Sequence, residues 1–205
     1  MHRSQRPGGR TARTRATVLQ AVVAELAEYG YAGTSVERVA QRAGIAKTTI
    51  YRRWGGLDGL LADLVAEYAA QEIPVPDEGD LDRDLRAVAR MVVAGIADPA
   101  IRTAFGSMLA AAVQDPAARE VMSRFLGGRV ARMAVIIDRA VERGELPPDT
   151  DAAEVLRTLA VMIYGRLFFA GEPPEPPLAD AAAATIAAAA QAGAMRLVPG
   201  PGAGR

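Results

Sequence analysis

Residues 34–54 read TSVERVAQRAGIAKTTIYRRW, and this stretch predicts two short helices joined by a tight turn. Thr34 and Glu37 have the S/T-x-x-E spacing with which side chains satisfy the first backbone N–H groups of a helix, so Thr34 is the expected N-cap. Gly44 should end this helix, because glycine enters the left-handed region without a clash at Cβ. Helical spacing gives the helix one apolar face: Val36, Val39, Ala40 and Ala43.

A second helix begins a few residues after Gly44 and carries a cationic, hydroxyl-bearing face. Its apolar positions are Ile50 and Trp54, which we expect in the core. The remaining side chains are polar donors or cations: Lys47, Thr48, Thr49, Tyr51, Arg52 and Arg53. Two short helices joined by a glycine-containing turn form a helix-turn-helix, whose second helix can lie in the major groove of DNA.

These residues resemble the DNA-binding segment of the TetR family of bacterial transcriptional regulators. The resemblance rests on the turn A-x-x-A-G-I, on the opening K-T-T-I-Y of the second helix and on the aromatic residue that closes it. It implies an all-α fold of about nine helices, with a three-helix DNA-binding domain followed by a C-terminal helical bundle. A basic helix face that is merely solvated, in a helix-turn-helix that binds no nucleic acid, is the alternative.

The resemblance assigns contacts with phosphates or groove edges to five residues: Thr34, Lys47, Thr49, Tyr51 and Arg52. The chemistry agrees, because phosphate oxygens accept hydrogen bonds from hydroxyl, ammonium and guanidinium groups. Base edges should be read by the exposed opening of the second helix: Ala46, Lys47, Thr48 and Thr49. Arg53 completes the predicted DNA contacts, and partial burial in the core is the alternative for Tyr51.

The exit from the second helix departs from the family pattern, which often continues with Pro-Ser-Lys-Glu. Here the chain has Gly55, Gly56, Leu57 and Asp58, so the lysine that grips a phosphate in the family is absent. Asp58 fits the positive end of a helix dipole. The resemblance therefore implies weaker binding to the DNA backbone, or compensation from the arginines of the N-terminal arm.

The N-terminal arm is rich in arginine, glycine and proline and has no periodicity, so we expect disorder. Its cations could follow a DNA backbone or enter a minor groove, or could serve only for solubility: Arg3, Arg6, Arg10, Arg13 and Arg15.

The charge of the chain is strongly polarised although its net charge is zero. Residues 1–56 hold ten basic and three acidic side chains, whereas residues 57–205 hold fourteen basic and twenty-one acidic ones. A positive N-terminal part and a negative body are the electrostatic pattern of a protein that meets a polyanion at one end. Lys47 is the only lysine, and it lies in the predicted DNA-reading helix.

The composition excludes several kinds of chemistry. The chain has no cysteine and a single histidine, His2, so we expect no disulfide, no metal site and no cofactor. An enzyme is the rival class, but the sequence offers no Ser/His arrangement and no glycine-rich phosphate loop. No signal peptide and no apolar run of membrane-spanning length occur, so we expect a cytoplasmic protein without membrane contact.

Helical periodicity and end signals divide the chain into further helices, and no strand pattern competes. Asp98-Pro99 and Asp115-Pro116 each combine an N-cap with proline at the first helical position. The predicted helices outside the quoted stretch cover residues 14–30, 57–71, 81–96, a segment from 99, 116–144, 151–170 and 178–197.

We expect four segments. They are a disordered basic arm at residues 1–10, a helix-turn-helix domain at 11–56 that continues into a connecting helix at 57–71, an effector-binding and dimerisation domain at 72–198, and a disordered tail at 199–205.

Apolar and aromatic side chains of the C-terminal half are candidates to line a small-molecule cavity: Phe105, Met108, Leu109, Met122, Phe125, Met133, Met162, Tyr164, Phe168 and Phe169. Ordinary core packing is the alternative, since methionine and phenylalanine at helical spacing are common core residues. No charge stands out to select a ligand, which favours an uncharged, apolar effector.

A two-fold homodimer is expected, because a helix-turn-helix usually reads one half of a palindrome. The family's interface normally comes from its last two long helices, and small residues let helices approach closely. The candidates are Leu159, Met162, Ile163, Leu167, Ala183, Ile186, Ala187 and Ala190. An alanine-rich helix packed only within its own subunit is the alternative.

The sequence thus favours a repressor that binds a palindromic operator in double-stranded DNA as a homodimer and is released by a small effector. Effector binding would move the connecting helix at 57–71 and change the separation of the two recognition helices. An effector-independent regulator or activator stays open as the alternative.

Overall fold

The fold consists of α-helices. The computed structural model describes residues 8–70 and 74–196, and within these ranges it contains nine helices and no strand, so the all-α prediction is confirmed. The helices are α1 (Gly8–Gly33), α2 (Val36–Ala43), α3 (Lys47–Trp54), α4 (Leu57–Ala70), α5 (Leu81–Gly95), α6 (Pro99–Gln114), α7 (Pro116–Glu142), α8 (Ala152–Phe168) and α9 (Pro176–Gln191). No helix in the described ranges is long and apolar enough to cross a membrane.

The chain divides into two compact units. Met1–Gln71 and Pro99–Phe125 form the first, and Glu72–Asp98 and Leu126–Arg205 form the second. The sequence prediction placed residues 72–198, including α6, in one C-terminal domain. The packing groups α6 with α1 because an apolar face of α1 lies against α6 as well as against α2 and α4.

Helix α1 packs against α2, α4 and α6 in the first unit. Val18, Val22 and Leu26, which follow one another at helical spacing, are fully buried. The helix begins at Gly8, earlier than the predicted residue 14, so residues 8–10 of the predicted arm are helical, whereas residues 1–7 lie outside the described part. The predicted end at Gly30 is a kink with φ 68° and ψ 178°, a conformation that favours glycine, and helical turns resume up to Gly33.

The N-cap of α2 is Ser35 and not Thr34. Ser35 is extended, and its hydroxyl accepts a hydrogen bond from the backbone N–H of Arg38 at 3.3 Å. The hydroxyl of Thr34 instead donates to the carbonyl of Gly30 at 2.7 Å, and its side chain is buried. The prediction was one residue early because threonine and serine are both good caps and stand side by side.

The end signals in the second half of the chain are largely confirmed. Helix α6 begins at Pro99 and α7 at Pro116, where a carboxylate oxygen of Asp115 accepts from the N–H of Ala117 at 2.8 Å. Helix α9 ends at Gln191, well before the predicted residue 197, and Gly193 then takes a φ of 75°. The predicted tail at 199–205 lies outside the described residues, as does residue 71.

The predicted dimer residues form the core of the second unit. Seven of them are at most 6% exposed in the single chain: Leu159, Ile163, Leu167, Ala183, Ile186, Ala187 and Ala190. They pack where α8 and α9 meet each other and α5, so this face is not free to bind a second copy. The assignment of these seven residues to a dimer interface was wrong, and the alternative of packing within the subunit describes them.

A carboxylate joins three helices of the first unit. Asp63 of α4 accepts hydrogen bonds from Arg15 of α1, at 2.9 and 2.8 Å, and from the indole N–H of Trp54, at 2.8 Å. Trp54, which the sequence placed wholly in the core, is only half-buried, and its ring N–H is paired with this carboxylate. The bond from Arg15, and to a lesser extent that from Trp54, holds the pKa of Asp63 below its usual value.

We expect Asp63→Asn to lower the free energy of unfolding at neutral pH by about 1–2 kcal/mol, because the charge-assisted bond to Arg15 is lost. The wild-type carboxylate stabilises the fold above the ordinary aspartate pKa of about 4, and this contribution disappears as the pH falls through the lower pKa of the folded state. Urea unfolding of both proteins at neutral pH and near pH 3 should therefore give a smaller difference in acid. The control is Asp82→Asn, which removes an exposed pair with Arg86 and should change stability little. Equal effects of the two substitutions would contradict this role of Asp63.

Candidate nucleic-acid interface

Helix α3 presents a donor-rich face to solvent. Its opening residue Ala46 has no side chain that could cap the helix, which leaves the N-terminal backbone amides available to an anion. Thr49 is half-buried, and the other predicted DNA contacts on this segment are exposed: Ala46, Lys47, Thr48, Tyr51, Arg52 and Arg53. Tyr51 is 49% exposed, so the alternative in which it packs into the core does not hold.

The turn between α2 and α3 fixes the position of this face. Gly44 takes a φ of 65°, and its N–H donates to the carbonyls that end α2. Ile50 is fully buried, as is Val39 of α2, and these apolar contacts hold the two helices together. Gly55, with a φ of 78°, ends α3. The segment therefore forms the predicted helix-turn-helix.

Thr34 does not join the exposed donors. Its side chain is 6% exposed, and its hydroxyl already donates to Gly30. A phosphate cannot reach that hydroxyl unless the turn before α2 opens, so we withdraw Thr34 from the predicted DNA contacts.

Internal ion pairs engage several arginines of the first unit. Arg15 pairs with Asp63 and Glu67, so it is not a free cation of the N-terminal arm. Arg13 is exposed, whereas Arg3 and Arg6, together with the side chain of Arg10, lie outside the described part of the chain.

The cations of α3 are much less constrained. The ammonium of Lys47 lies 4.0 Å from a carboxylate oxygen of Glu37, and both side chains are about 60% exposed. The guanidinium of Arg53 lies 5.1 Å from the centre of the Trp54 ring. Such exposed contacts are weak, so these side chains can turn to a phosphate at small cost.

A carboxylate cluster that the sequence analysis did not identify lies between α1 and α2. Glu25 is buried, with a side chain 4% exposed, and it accepts from Arg38 at 3.3 Å and from Arg42 at 2.5 Å. Glu28 pairs with a second nitrogen of the Arg42 guanidinium, Nη2. Hydrogen bonds from Tyr29 and then from Arg42 lower the pKa of Glu28. Two acids on one face of a helix, and two arginines four residues apart on the next helix, are the signal that could have revealed it.

The effector candidates of the first unit lie on α6 and α7. The rings of Phe105 and Phe125 meet edge to face with their centres 5.9 Å apart. Met108, Met122 and Phe125 are buried, and Phe105 and Leu109 are half-buried.

The remaining effector candidates belong to the second unit. Met133 is buried and Met162 half-buried, and the rings of Tyr164 and Phe168 lie 6.3 Å apart. Phe169 is 93% exposed, so it is neither core nor cavity lining in the single chain.

A cation that the sequence analysis overlooked lies near these aromatic residues. Burial lowers the pKa of Arg129 on α7, while the neighbouring Tyr164 has the opposite, smaller effect. Burial likewise raises the pKa of the Tyr164 hydroxyl to about 12. The second unit therefore contains a partly desolvated guanidinium, although the sequence showed no charge clearly placed to select a ligand.

The fold and this exposed face define a helix-turn-helix DNA-binding protein, and comparison with known proteins specifies the family. Residues 18–64 match the family model for bacterial regulatory proteins of the tetR family, and residues 75–186 match the model for the tetracyclin repressor-like C-terminal domain. The chain belongs to the TetR family and is a DNA-binding transcriptional regulator.

Individual relatives agree with this assignment. The HTH-type transcriptional regulator AqdR of Rhodococcus erythropolis is 31% identical over 163 residues, which cover 80% of this chain and 78% of the relative. A structure of SmeT in complex with triclosan is 26% identical, covers 92% of this chain and 96% of its own, and superposes with a TM-score of 0.65. Salmonella enterica GusR shares the fold with a TM-score of 0.73 at 19% identity, covering 95% of this chain and 99% of its own.

We expect Lys47→Ala to weaken binding to duplex DNA about three- to tenfold at low salt and to reduce the slope of log affinity against log salt by about one, because one phosphate contact is lost. Tyr51→Phe should weaken binding without changing the slope, since it removes a neutral donor. Fluorescence anisotropy over a salt series measures both quantities. Arg157→Ala, which removes an exposed cation from α8, is the control. Unchanged binding by the Lys47 and Tyr51 variants would contradict the assignment of α3.

Proposed function

We propose that the protein represses transcription by binding a palindromic operator as a homodimer, with α3 of each copy in the major groove. The observation that supports this most is the exposed donor face of α3, whose cations are weakly paired while other arginines of the first unit are held by carboxylates. The proposed contacts are Ala46, Lys47, Thr48, Thr49, Tyr51, Arg52 and Arg53. Lys47 and Arg52 would neutralise phosphates, and the threonine methyl groups would contact thymine methyls. The function requires binding alone and no catalysis, and a bacterial operator places it in the cytoplasm.

For the dimer we propose the outward face of α9, which replaces the buried residues predicted from the sequence. Small residues follow one another at helical spacing on this face and are exposed: Ala181, Ala184, Thr185 and Ala188. Val161 of α8 is 63% exposed and adds a larger apolar side chain to the proposed contact surface. A smooth face of small residues lets a second helix approach closely, which supports a symmetric pairing of two copies.

We propose that a small apolar molecule acts as effector. The relative solved with triclosan has a bound compound of this kind, and the second unit contains methionine and aromatic side chains that suit such a ligand: Met133, Met162, Tyr164 and Phe168. A regulator without effector, or an activator, remains the second candidate.

The first unit contains a direct connection from the turn between α6 and α7 to the helix-turn-helix. The hydroxyl of Tyr31 donates to Asp115 at 2.5 Å, and the same carboxylate caps α7. The hydroxyl of Ser107 on α6 lies 3.3 Å from the carbonyl oxygen of Leu26, while its shorter hydrogen bond, at 2.9 Å, goes to the carbonyl of Thr103 in its own helix. An effector that shifts α6 would act through these bonds on the Gly30 kink and on α2, which makes α6 a route of communication in addition to the connecting helix α4.

The operator is tested by selecting genomic DNA fragments on the purified protein and footprinting those that bind. We expect two inverted half-sites with centres about 34–36 Å apart or a multiple of this distance, as a two-fold dimer requires. Fragments without inverted symmetry would contradict the dimeric operator, and no selective enrichment would contradict the regulator itself. Thermal-shift screening, with triclosan as the first compound, separates the effector-responsive repressor from the effector-independent regulator. If operators are found but no compound stabilises the protein, the effector-independent regulator is favoured.

We expect Ala184→Arg to convert the dimer into a monomer, because it places a charge in the proposed contact between two α9 helices. Light scattering at micromolar concentration should give twice the chain mass for the wild type and one chain mass for the variant. Ala131→Arg, the same change at an exposed position of α7, is the control and should stay dimeric. A wild-type mass of one chain would remove the dimer, and a dimeric Ala184→Arg protein would contradict this interface.

A further inference from the structure

The carboxylates of α1 neutralise the arginines of α2. Glu25 accepts from Nε of both Arg38 and Arg42, and Glu28 pairs with Nη2 of Arg42. The ring of Tyr29 lies 3.6 Å from the guanidinium carbon of Arg38. Both arginines therefore point back to α1, although they remain 37–40% exposed.

The first helix of a helix-turn-helix crosses the DNA backbone while the second reads the groove. The side chains of α2 are therefore close to phosphates in the bound state, and unpaired arginines there would be strong backbone contacts. In this chain Glu25 occupies the Nε donor of each arginine and Glu28 occupies a second donor of Arg42, so these N–H groups are not available to a phosphate. Because Glu25 is buried, it cannot leave the pair by turning into water.

We propose that Glu25 and Glu28 limit the sequence-independent affinity for DNA by withholding Arg38 and Arg42 from the phosphates. The inference rests on the proposed DNA interface and adds that carboxylates of α1 set how strongly the protein binds the phosphate backbone of DNA. Sequence-independent binding is almost wholly electrostatic, so it is the component that such pairing reduces most. The cations of α3 then dominate the contact with DNA.

Glu25→Gln combined with Glu28→Gln is the decisive variant, because glutamine keeps the shape and removes the charge. Its affinity for a duplex of unrelated sequence at low salt should rise about tenfold, and the salt slope should steepen by about one to two, as two phosphate contacts are gained. Adding Arg38→Gln and Arg42→Gln to this variant should return both quantities to the wild-type values.

The matched control is Glu172→Gln with Asp180→Asn, which removes two carboxylates from ion pairs of the second unit. It changes the net charge equally and should leave the slope unchanged. Circular dichroism establishes that each variant is folded. Should the double variant fail to fold, Glu28→Gln alone, at a half-exposed position, should still raise the affinity about twofold.

Several results would overturn the inference. They are an unchanged slope in the folded double variant, weaker binding in that variant, or a gain that persists when both arginines are removed. Any of these results would mean that Glu25 serves only to hold α1 and α2 together. Failure of the proposed function looks different, since the wild type would then bind no DNA at low salt or bind independently of Lys47.

Discussion

Charge pairing along α1 holds arginines of the first unit against carboxylates and leaves the cations of α3 exposed. Near the N-terminus of α1, Arg15 donates a hydrogen bond to Asp63, and the indole N–H of Trp54 donates to the same carboxylate. Nearer its C-terminus, Glu25 accepts hydrogen bonds from the guanidinium groups of Arg38 and Arg42. Burying a carboxylate is costly unless it is paired and hydrogen-bonded, so these contacts fix helices in one arrangement. They also leave Lys47, Arg52 and Arg53 as the cations of α3 that solvent, or a phosphate, can reach.

The apolar stripe of α1 gives this arrangement its stability. Val18, Val22 and Leu26 are fully buried, and each contributes about 1.5–3 kcal/mol of transfer free energy when removed from water. The kink at Gly30 then turns the chain so that Tyr31 reaches Asp115 and Ser35 caps α2. One helix therefore contacts both α6 and α2, the first helix of the helix-turn-helix.

Local patterns allowed much of this to be predicted. Neighbours in sequence predict the turn at Gly44, the burial of Ile50 and the starts of α6 and α7 at Pro99 and Pro116. The structure has all of them as expected. The cap before α2 was misplaced because Thr34 and Ser35 are chemically alike, and only the kink decides between them. Pairs such as Arg15 with Asp63 join residues 48 apart, so no local spacing predicts them. The dimer face was misassigned because alanine forms both the buried and the exposed face of α9, and period alone does not say which face meets the subunit's own core.

The most direct test is photo-crosslinking from two exposed aromatic positions, one in each unit. A photoreactive phenylalanine analogue placed at Tyr51 of α3 should crosslink to bound operator DNA. The same analogue at Phe169, which is 93% exposed in the second unit, should give no crosslink to DNA. Crosslinks from position 169 without any from position 51 would show that DNA binds elsewhere and would contradict the central claim that α3 carries the DNA-binding face.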